Sequence, residues 1–576
     1  MPDPPAAQDG PLTKGAPSAG VPTVDGNEWM RKLARMCGPG AGLRSVGMPI
    51  AEIESIFDSV FARNPAETTR GSLAPLANTV QLYGSNEDIL DAYYIFIHPY
   101  YPILPPPERL PVSHNPALLG PDGFEPTSPL ALAISAMMAL VPHKDVKEPS
   151  RPEYVKIRRE VSLRFAEAAY AVVAKDYDPL QSSGAFDGFL RDTIGRRPFH
   201  PKVPVCLEGI IALSILGFYE YGQRGNMENT ARLVNEALRM AVKIGLHESL
   251  EEDQYAVARR RSWWFTYMAA SHLATVTGIA ASFNVYDPSF VTPYPKDFKL
   301  RVEAQQALFE AGIFAVDLDD TIRNRGDVSW IPKRMAELDA QITSLLFECR
   351  EKLSSFHSPR PDCVELVAAN ALRSFTEVKL HSARIKLHRY CAFQDVPLFS
   401  EQPGLHPVPT ANDDIEACGT NADSQQRPAS IQEFGIQFPF SAQTSSVICV
   451  HAAINVVTLL DSLPFPNPTN DASPTSLPYI YQNYEVPRAM PTLISCAMQA
   501  GYTMLTLSCK TRPFVVNMKE SDLDPGDIPL AGLRQELEQS LRIVAKFLAN
   551  HAIAFEAIQG MRDEMVQAIE REFSKD

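Results

Sequence analysis

A chain of 576 residues with 45% apolar and 21% charged residues is long enough for several domains or one large body, and has the composition of a globular protein with a sizeable core. Its 53 basic and 68 acidic residues give a net charge of −15, which repels phosphate backbones and excludes nucleic-acid binding by bulk charge. The nine cysteines (Cys37, Cys206, Cys349, Cys363, Cys391, Cys418, Cys449, Cys496, Cys509) are scattered without a C-x-x-C pair, which excludes zinc-ribbon and dithiol redox motifs and suggests thiols in a reducing compartment.

The opening "MPDPPAAQDGPLTKG" has no apolar leader, and residues 1–48, rich in Pro, Gly, Ala and Ser, are expected to be disordered. A short helix and linker follow over 49–84, with Ile50, Ile53, Ile56, Phe57, Val60 and Phe61 at helical spacing. In "SNEDILDAYYIFIHPYYPILPPPERL" Ser85 to Asp88 supplies a cap and first-turn acid, Ile89, Tyr93, Phe96 and Ile97 form one face, and Pro99 and Pro102 stop the helix. "SPLALAISAMMALV" is apolar all round, as a fully buried helix is. Its run Leu130–Val141 is the longest apolar stretch and is shorter than the ~20 residues of a membrane span, so no membrane partner is expected.

"YVKIRREVSLRFAEAAYAVVAK" predicts an amphipathic helix with Val155, Val161, Phe165 and Ala169 inward. "NMENTARLVNEALRMAVKIGLH" places Ala231, Val234, Leu238 and Ala241 on one stripe, and Gly245 falls where a helix-terminating glycine belongs. "FNVYDPSFVTPYP" (283–295) reads as an extended loop, because prolines and an aspartate interrupt it. Residues 401–430 read as a mobile polar loop and 463–478 as a second linker. The last segment reads as a helix striped by Leu537, Leu541, Val544, Leu548 and Ile553. No fixed-period repeat occurs, so the fold predicted is all-α and not a solenoid.

Catalytic motifs do not emerge. "GPGAG" (38–42) lacks the preceding strand and following helix of a phosphate loop. "HESLE" from His247 lacks the second histidine one turn on that would let two ligands face one metal. No G-x-S-x-G elbow is present, and His381 and His388, seven apart, have no carboxylate beside them in sequence. The adjacent carboxylates Asp319 and Asp320 nominate no reaction in so acidic a chain.

The stretch "ARRRSWWFTYMAASHL" (258–273) fits two readings. Arginines beside aromatics suit phosphates and bases. Equally, Trp263, Tyr267 and Ala270, with Trp264, Met268 and Ser271 beside them, form a broad helix face whose rings are core. Arg259, Arg260 and Arg261 would then sit at the helix start, unfavourable for cations, so partners are expected; Glu251 to Asp253 lie just upstream. The spacing favours the structural reading.

This stretch and its continuation to Pro295 resemble the signature of the fungal-specific transcription factor domain, the middle homology or xylanolytic-activator-type regulatory region of zinc-cluster regulators. "ILDAYYIFIHPYYPIL" is similar to its opening helix. "LEGIIALSILGFYEYGQRGNMENTARLVNEALRMAVKIGLHES" is similar to its central helix pair, and "HSARIKLHRYCAF" to its later Leu-His-Arg helix. The resemblance spans roughly 86–395 and implies a regulatory domain over 85–400, with the helices of 431–576 packed on it. The signature positions carried over are Arg259, Arg260, Arg261, Trp263, Trp264, Tyr267 and Gly278, His98 and Pro99, Gly245 and His247, and His388 and Arg389. All are given structural roles, and no catalytic, cofactor, metal or DNA-binding residue is assigned.

The family's binuclear zinc cluster needs six cysteines within about 30 residues, whereas Cys37 is the one cysteine upstream of Leu90. The resemblance therefore implies a nuclear, non-enzymatic regulator of a metabolic gene set, with secondary metabolism a plausible setting. It would act through regulator or co-regulator proteins or a small-molecule effector, touch DNA indirectly, and hold no cofactor. Two alternatives stand beside it: a DNA-binding activator whose zinc cluster is encoded upstream, the one case that brings in zinc, and a helical enzyme without a recognised motif.

Overall fold

The computed structural model describes residues 79–112, 124–176, 196–277, 288–296, 298–351, 364–393, 436–469, 477–481, 484–517 and 530–574. The segments 1–48 and 401–430, the helix expected near Ile50–Phe61, the glycines of 38–42 and Gly278 lie outside the described residues. Thirteen α-helices make up nearly all the described structure. One antiparallel pair of two-residue strands, β1 (Ile480–Tyr481) and β2 (Tyr484–Glu485), accompanies them.

Local chemistry sets the first boundaries. Helix α1 (Asn86–Ala92) starts where Ser85 Oγ accepts from the Asp88 amide at 3.1 Å, and a π-helical turn over Tyr93–Ile97 carries it to His98 and Pro99. Helix α2 (Pro129–Leu140) is capped by Ser128 Oγ on the amides of Leu130 and Ala131, and all twelve of its residues are buried. Helix α3 (Pro152–Asp176) buries Ala169 as its apolar spacing predicts, but otherwise a different seam, Arg158, Ser162, Ala166 and Val173, with Val155, Val161 and Phe165 only half-buried. Small residues at the contact let α3 lie close along α2, where Ser162 Oγ donates to the Ala136 carbonyl at 2.6 Å; the larger side chains flank that contact.

Helix α4 (Val205–Tyr219) passes into a π-helical turn, Glu220–Arg224, closed by Gly225 at φ 59°. A side chain at Gly222 has no room, since a Cβ there would lie 2.8 Å from Pro491 Cγ and 3.1 Å from Phe555 Cδ1. Helix α5 (Met227–Lys243), capped by Asn226, buries Val234, Leu238 and Ala241 as predicted and adds Thr230, Leu233, Ala237 and Met240, while Ala231 is half-buried. Gly245, at φ 72°, ends it.

Helices α6 (Ala256–Thr277), α7 (Lys299–Arg323), α8 (Ile331–Glu351), α9 (Val364–Ala392) and α10 (Ala442–Asp461) follow, and then α11 (Ile494–Asn517), α12 (Leu530–Ala552) and α13 (Glu556–Phe573). The final segment is two helices, not one. Leu537, Leu541, Val544 and Leu548 are buried on α12, but Ile553 lies in a break where the amides of Ala554 and Phe555 both donate to the His551 carbonyl. The second linker is in part core: Leu463 and Phe465 are buried, and the Arg488 guanidinium lies 3.7 Å over the Phe465 ring while donating to the Leu463 and Pro464 carbonyls. Residues 470–476 lie outside the described residues.

One continuous core joins α1–α6 to α10–α13, and a second is formed where Ala304, Leu308, Ala311 and Leu318 of α7 meet Ile331, Met335, Leu338 and Ile342 of α8. Helix α9 serves both: Phe375, Val378 and Ile385 enter the first core, and Leu380, Ala383 and Leu387 the second. Two helical segments, Val205–Arg224 and Ala442–Asp461, are 20 residues long with mean hydropathy 1.4 and 1.5, so they exceed the Leu130–Val141 run and match a bilayer in length. Within the fold, 83% and 50% of their apolar windows are buried.

Candidate functional site

The three arginines of α6 each find acid or carbonyl partners that offset the unfavourable helix end. Arg259 Nη2 lies 2.6 Å from Asp253 and 3.2 Å from Glu251, and its Nε donates to Ser249 Oγ at 3.1 Å. Arg260 pairs with Glu252. Arg261 reaches farther: Nη1 donates to the Leu104 carbonyl at 2.6 Å, and Nη2 donates to Glu365 Oε2 at 2.7 Å in the first turn of α9.

Glu365 also accepts from His98 Nε2 at 2.7 Å. Burial raises the Glu365 pKa, but the bonds from His98 and Arg261 outweigh it and bring the carboxyl down to about 2. His98 is fully buried, and burial holds its pKa below the ordinary value although Glu365 pulls it up. A neutral His98 with its proton on Nε2 fits this environment. Pro99 follows directly, and Arg261, Glu365 and His98 thus tie the ends of α1, α6 and α9 together.

The aromatic residues of α6 face inward. Trp263 and Trp264 are 0% and 1% exposed, and Tyr267 is buried beside them. Trp263 meets Phe290 edge-on at 5.0 Å, while Trp264 stacks on Tyr294 at 4.2 Å and donates from Nε1 to the Pro293 carbonyl. The rings therefore hold the extended 288–296 segment and offer no platform for bases. The other end of that segment is fixed beyond Gly245, where the amides of Val291 and Thr292 donate to the His247 carbonyl and Thr292 Oγ1 donates to Leu246 O at 2.6 Å.

His388 and Arg389 belong to a separate place, the far end of α9. His388 is buried between Asp339, 3.2 Å from Nε2, and Ser445, 3.1 Å from Nδ1, so a carboxylate does stand beside this histidine, brought in by α8. The Arg389 guanidinium lies 5.1 Å over the Tyr390 ring. His381 is buried with neither ring nitrogen bonded, and burial pushes its pKa down to about 3. No group of three metal-ligating side chains occurs among the described residues.

Beside the Arg261–Glu365 tie, a cleft of about 620 Å³ opens between α6, the 294–300 segment, the start of α7 and the first half of α9. Phe265, Phe298 and Leu372 give it an apolar wall, and Arg260, Arg261, Lys296, Arg301 and Arg373 a basic one, against a single acid, Glu365. Arg301 and Glu365 carry no local sequence signal. Each reads as an ordinary helix charge, and only packing between distant elements makes one buried and the other a hub.

The family model of the fungal specific transcription factor domain matches residues 90–311, from α1 into α7, so it includes the arginine–tryptophan helix and one side of the cleft, while α9 supplies the other side from beyond the match. No curated protein and no solved structure gives a significant match. That family is one of transcription factors and not of enzymes. Over residues 90–311, which include the signature helix, the chain thus carries a fungal specific transcription factor domain.

Proposed function

We propose that the chain is a transcription regulator that works in the nucleus on a metabolic gene set, of the kind that directs secondary metabolism, and that its helical body is the responsive part. A small molecule in the cleft alters how the domain meets partner regulators, and those partners contact DNA. The observation that carries this reading is the cleft itself: about 620 Å³ is within the range of small-molecule sites, and its walls come from the domain's signature helix on one side and α9 on the other. A ligand there would bridge α6, α7 and α9, and α7 and α9 both contribute to the two hydrophobic cores. The net charge of −15 and the buried rings of α6 favour protein partners over direct contact with nucleic acid.

The test is to fuse the chain to a heterologous DNA-binding domain and read a reporter in fungal cells, with a fluorescent tag on the unfused protein. Nuclear fluorescence and a reporter output that changes with growth metabolites are expected. A cytoplasmic protein whose fusion leaves the reporter at background in every medium would overturn the reading.

A further inference from the structure

Arg301, in the first turn of α7, lines the cleft yet is only 5% exposed. Its Nε and Nη1 have no hydrogen-bond partner, and no carboxylate pairs with it among the described residues. Three phenyl rings surround the guanidinium instead, with centroids 5.3 Å (Phe265), 5.4 Å (Phe298) and 5.6 Å (Phe375) away. Such ring contacts fix the orientation of a guanidinium but replace little of the hydration that burial removes. Burial accordingly lowers the Arg301 pKa to about 9.

Its neighbourhood adds positive charge. Lys379 of α9 is also buried, with Nζ 2.5 Å from the neutral Gln305 Oε1, and burial together with the Arg301 charge brings its pKa to about 7. Elsewhere on the cleft wall, Arg261 is matched by Glu365, Arg260 by Glu252 and Arg373 by Glu377, and Lys296 is exposed to solvent. The buried unmatched charge of the cleft is thus at Arg301, beside Phe265 and Phe298.

We propose that the cleft binds an amphipathic organic acid, its carboxylate paired with the Arg301 guanidinium and its apolar body against Phe265, Phe298 and Leu372. This deepens the effector reading above and rests on it. A carboxylate accepts from a guanidinium along two parallel bonds, side-on from Nε and Nη2 or end-on from Nη1 and Nη2, so that it satisfies one of the orphan donors and neutralises the buried charge. A neutral amide of the same shape accepts once and leaves the charge unpaired.

The test is a calorimetric titration of the full chain with 4-phenylbutyrate and with its neutral amide, on the parent, Arg301→Met and Ala369→Trp. Ala369 is an exposed residue on the cleft wall, so a tryptophan there narrows the site without disturbing a core. The parent is expected to bind the acid at least tenfold more tightly than the amide. Arg301→Met should erase that preference, and Ala369→Trp should weaken both probes at least tenfold. Equal binding of acid and amide, no binding of either, or a preference that survives Arg301→Met overturns the proposal. If Arg301→Met does not fold, Ala369→Trp decides alone: undiminished acid binding in that variant places the site elsewhere. The reporter fusion separates the two readings, because a fusion that responds to metabolites while the parent ignores the carboxylate loses the ligand class and keeps the regulator function.

Discussion

Replacing Glu365 tests whether the tie between α1, α6 and α9 is structural. The carboxylate accepts from His98 Nε2 at 2.7 Å, Arg261 Nη2 at 2.7 Å and Arg261 Nη1 at 3.3 Å. Its drop from 4.5 to about 2 corresponds to at most about 3.5 kcal/mol, at ~1.4 kcal/mol per pH unit. The side chain is 31% exposed, and solvent screening reduces the figure to about 2 kcal/mol. Because the folded pKa is depressed, this stabilisation is complete above about pH 4.5 and is lost as pH falls through about 2. Glu365→Gln should therefore lower stability by about 2 kcal/mol, equally at pH 7 and pH 5.5. Urea unfolding followed by tryptophan fluorescence reads this directly, since Trp263 and Trp264 are both in the core. A double-mutant cycle with Arg261→Met should show a coupling of about 1–2 kcal/mol. Additive single-variant effects, or a Glu365→Gln cost below about 0.5 kcal/mol, would refute the reasoning.

Three further outcomes are expected. Trp263→Ala removes a fully buried ring from the Phe290 and Tyr267 contacts and should cost about 3–5 kcal/mol, seen as a lower urea midpoint; a melt like the parent's would contradict its place in the core. Gly222→Ala drives a Cβ into Pro491 and Phe555 and should destabilise by about 1–3 kcal/mol, measurable by thermal melting. His200, His381 and His551 are all buried, and burial holds them at about 4, 3 and 4, so the unfolded chain takes up protons that the native one refuses. Stability is then complete above about pH 6.5 and falls below it, by up to ~1.4 kcal/mol per pH unit for each histidine, and a melting temperature that is flat from pH 7 to 5 would contradict this.

The helical class was legible because its signals are local. Ser85 caps the helix that its position announces, and Gly245 takes the left-handed conformation that its place after the α5 stripe requires. The 3.6-residue spacing of Trp263 and Tyr267 likewise sets the inner face of α6 within a few turns of chain. Periodicity misled where packing partners differ in size. On α3 the small residues that permit close approach to α2 outrank the larger apolar ones, and at Ile553 a stripe runs into the break where the Ala554 and Phe555 amides both turn to the His551 carbonyl. The site itself belongs to the tertiary structure. His98 and Glu365 are 267 residues apart, and no spacing rule brings them to 2.7 Å. Arg301 sits on its helix as any surface cation would; its burial among Phe265, Phe298 and Phe375 exists only once α6, α7 and α9 have met. Local sequence fixes φ, ψ and the face a helix buries, but which distant side chain removes water from a given charge is decided by the packing of the whole chain.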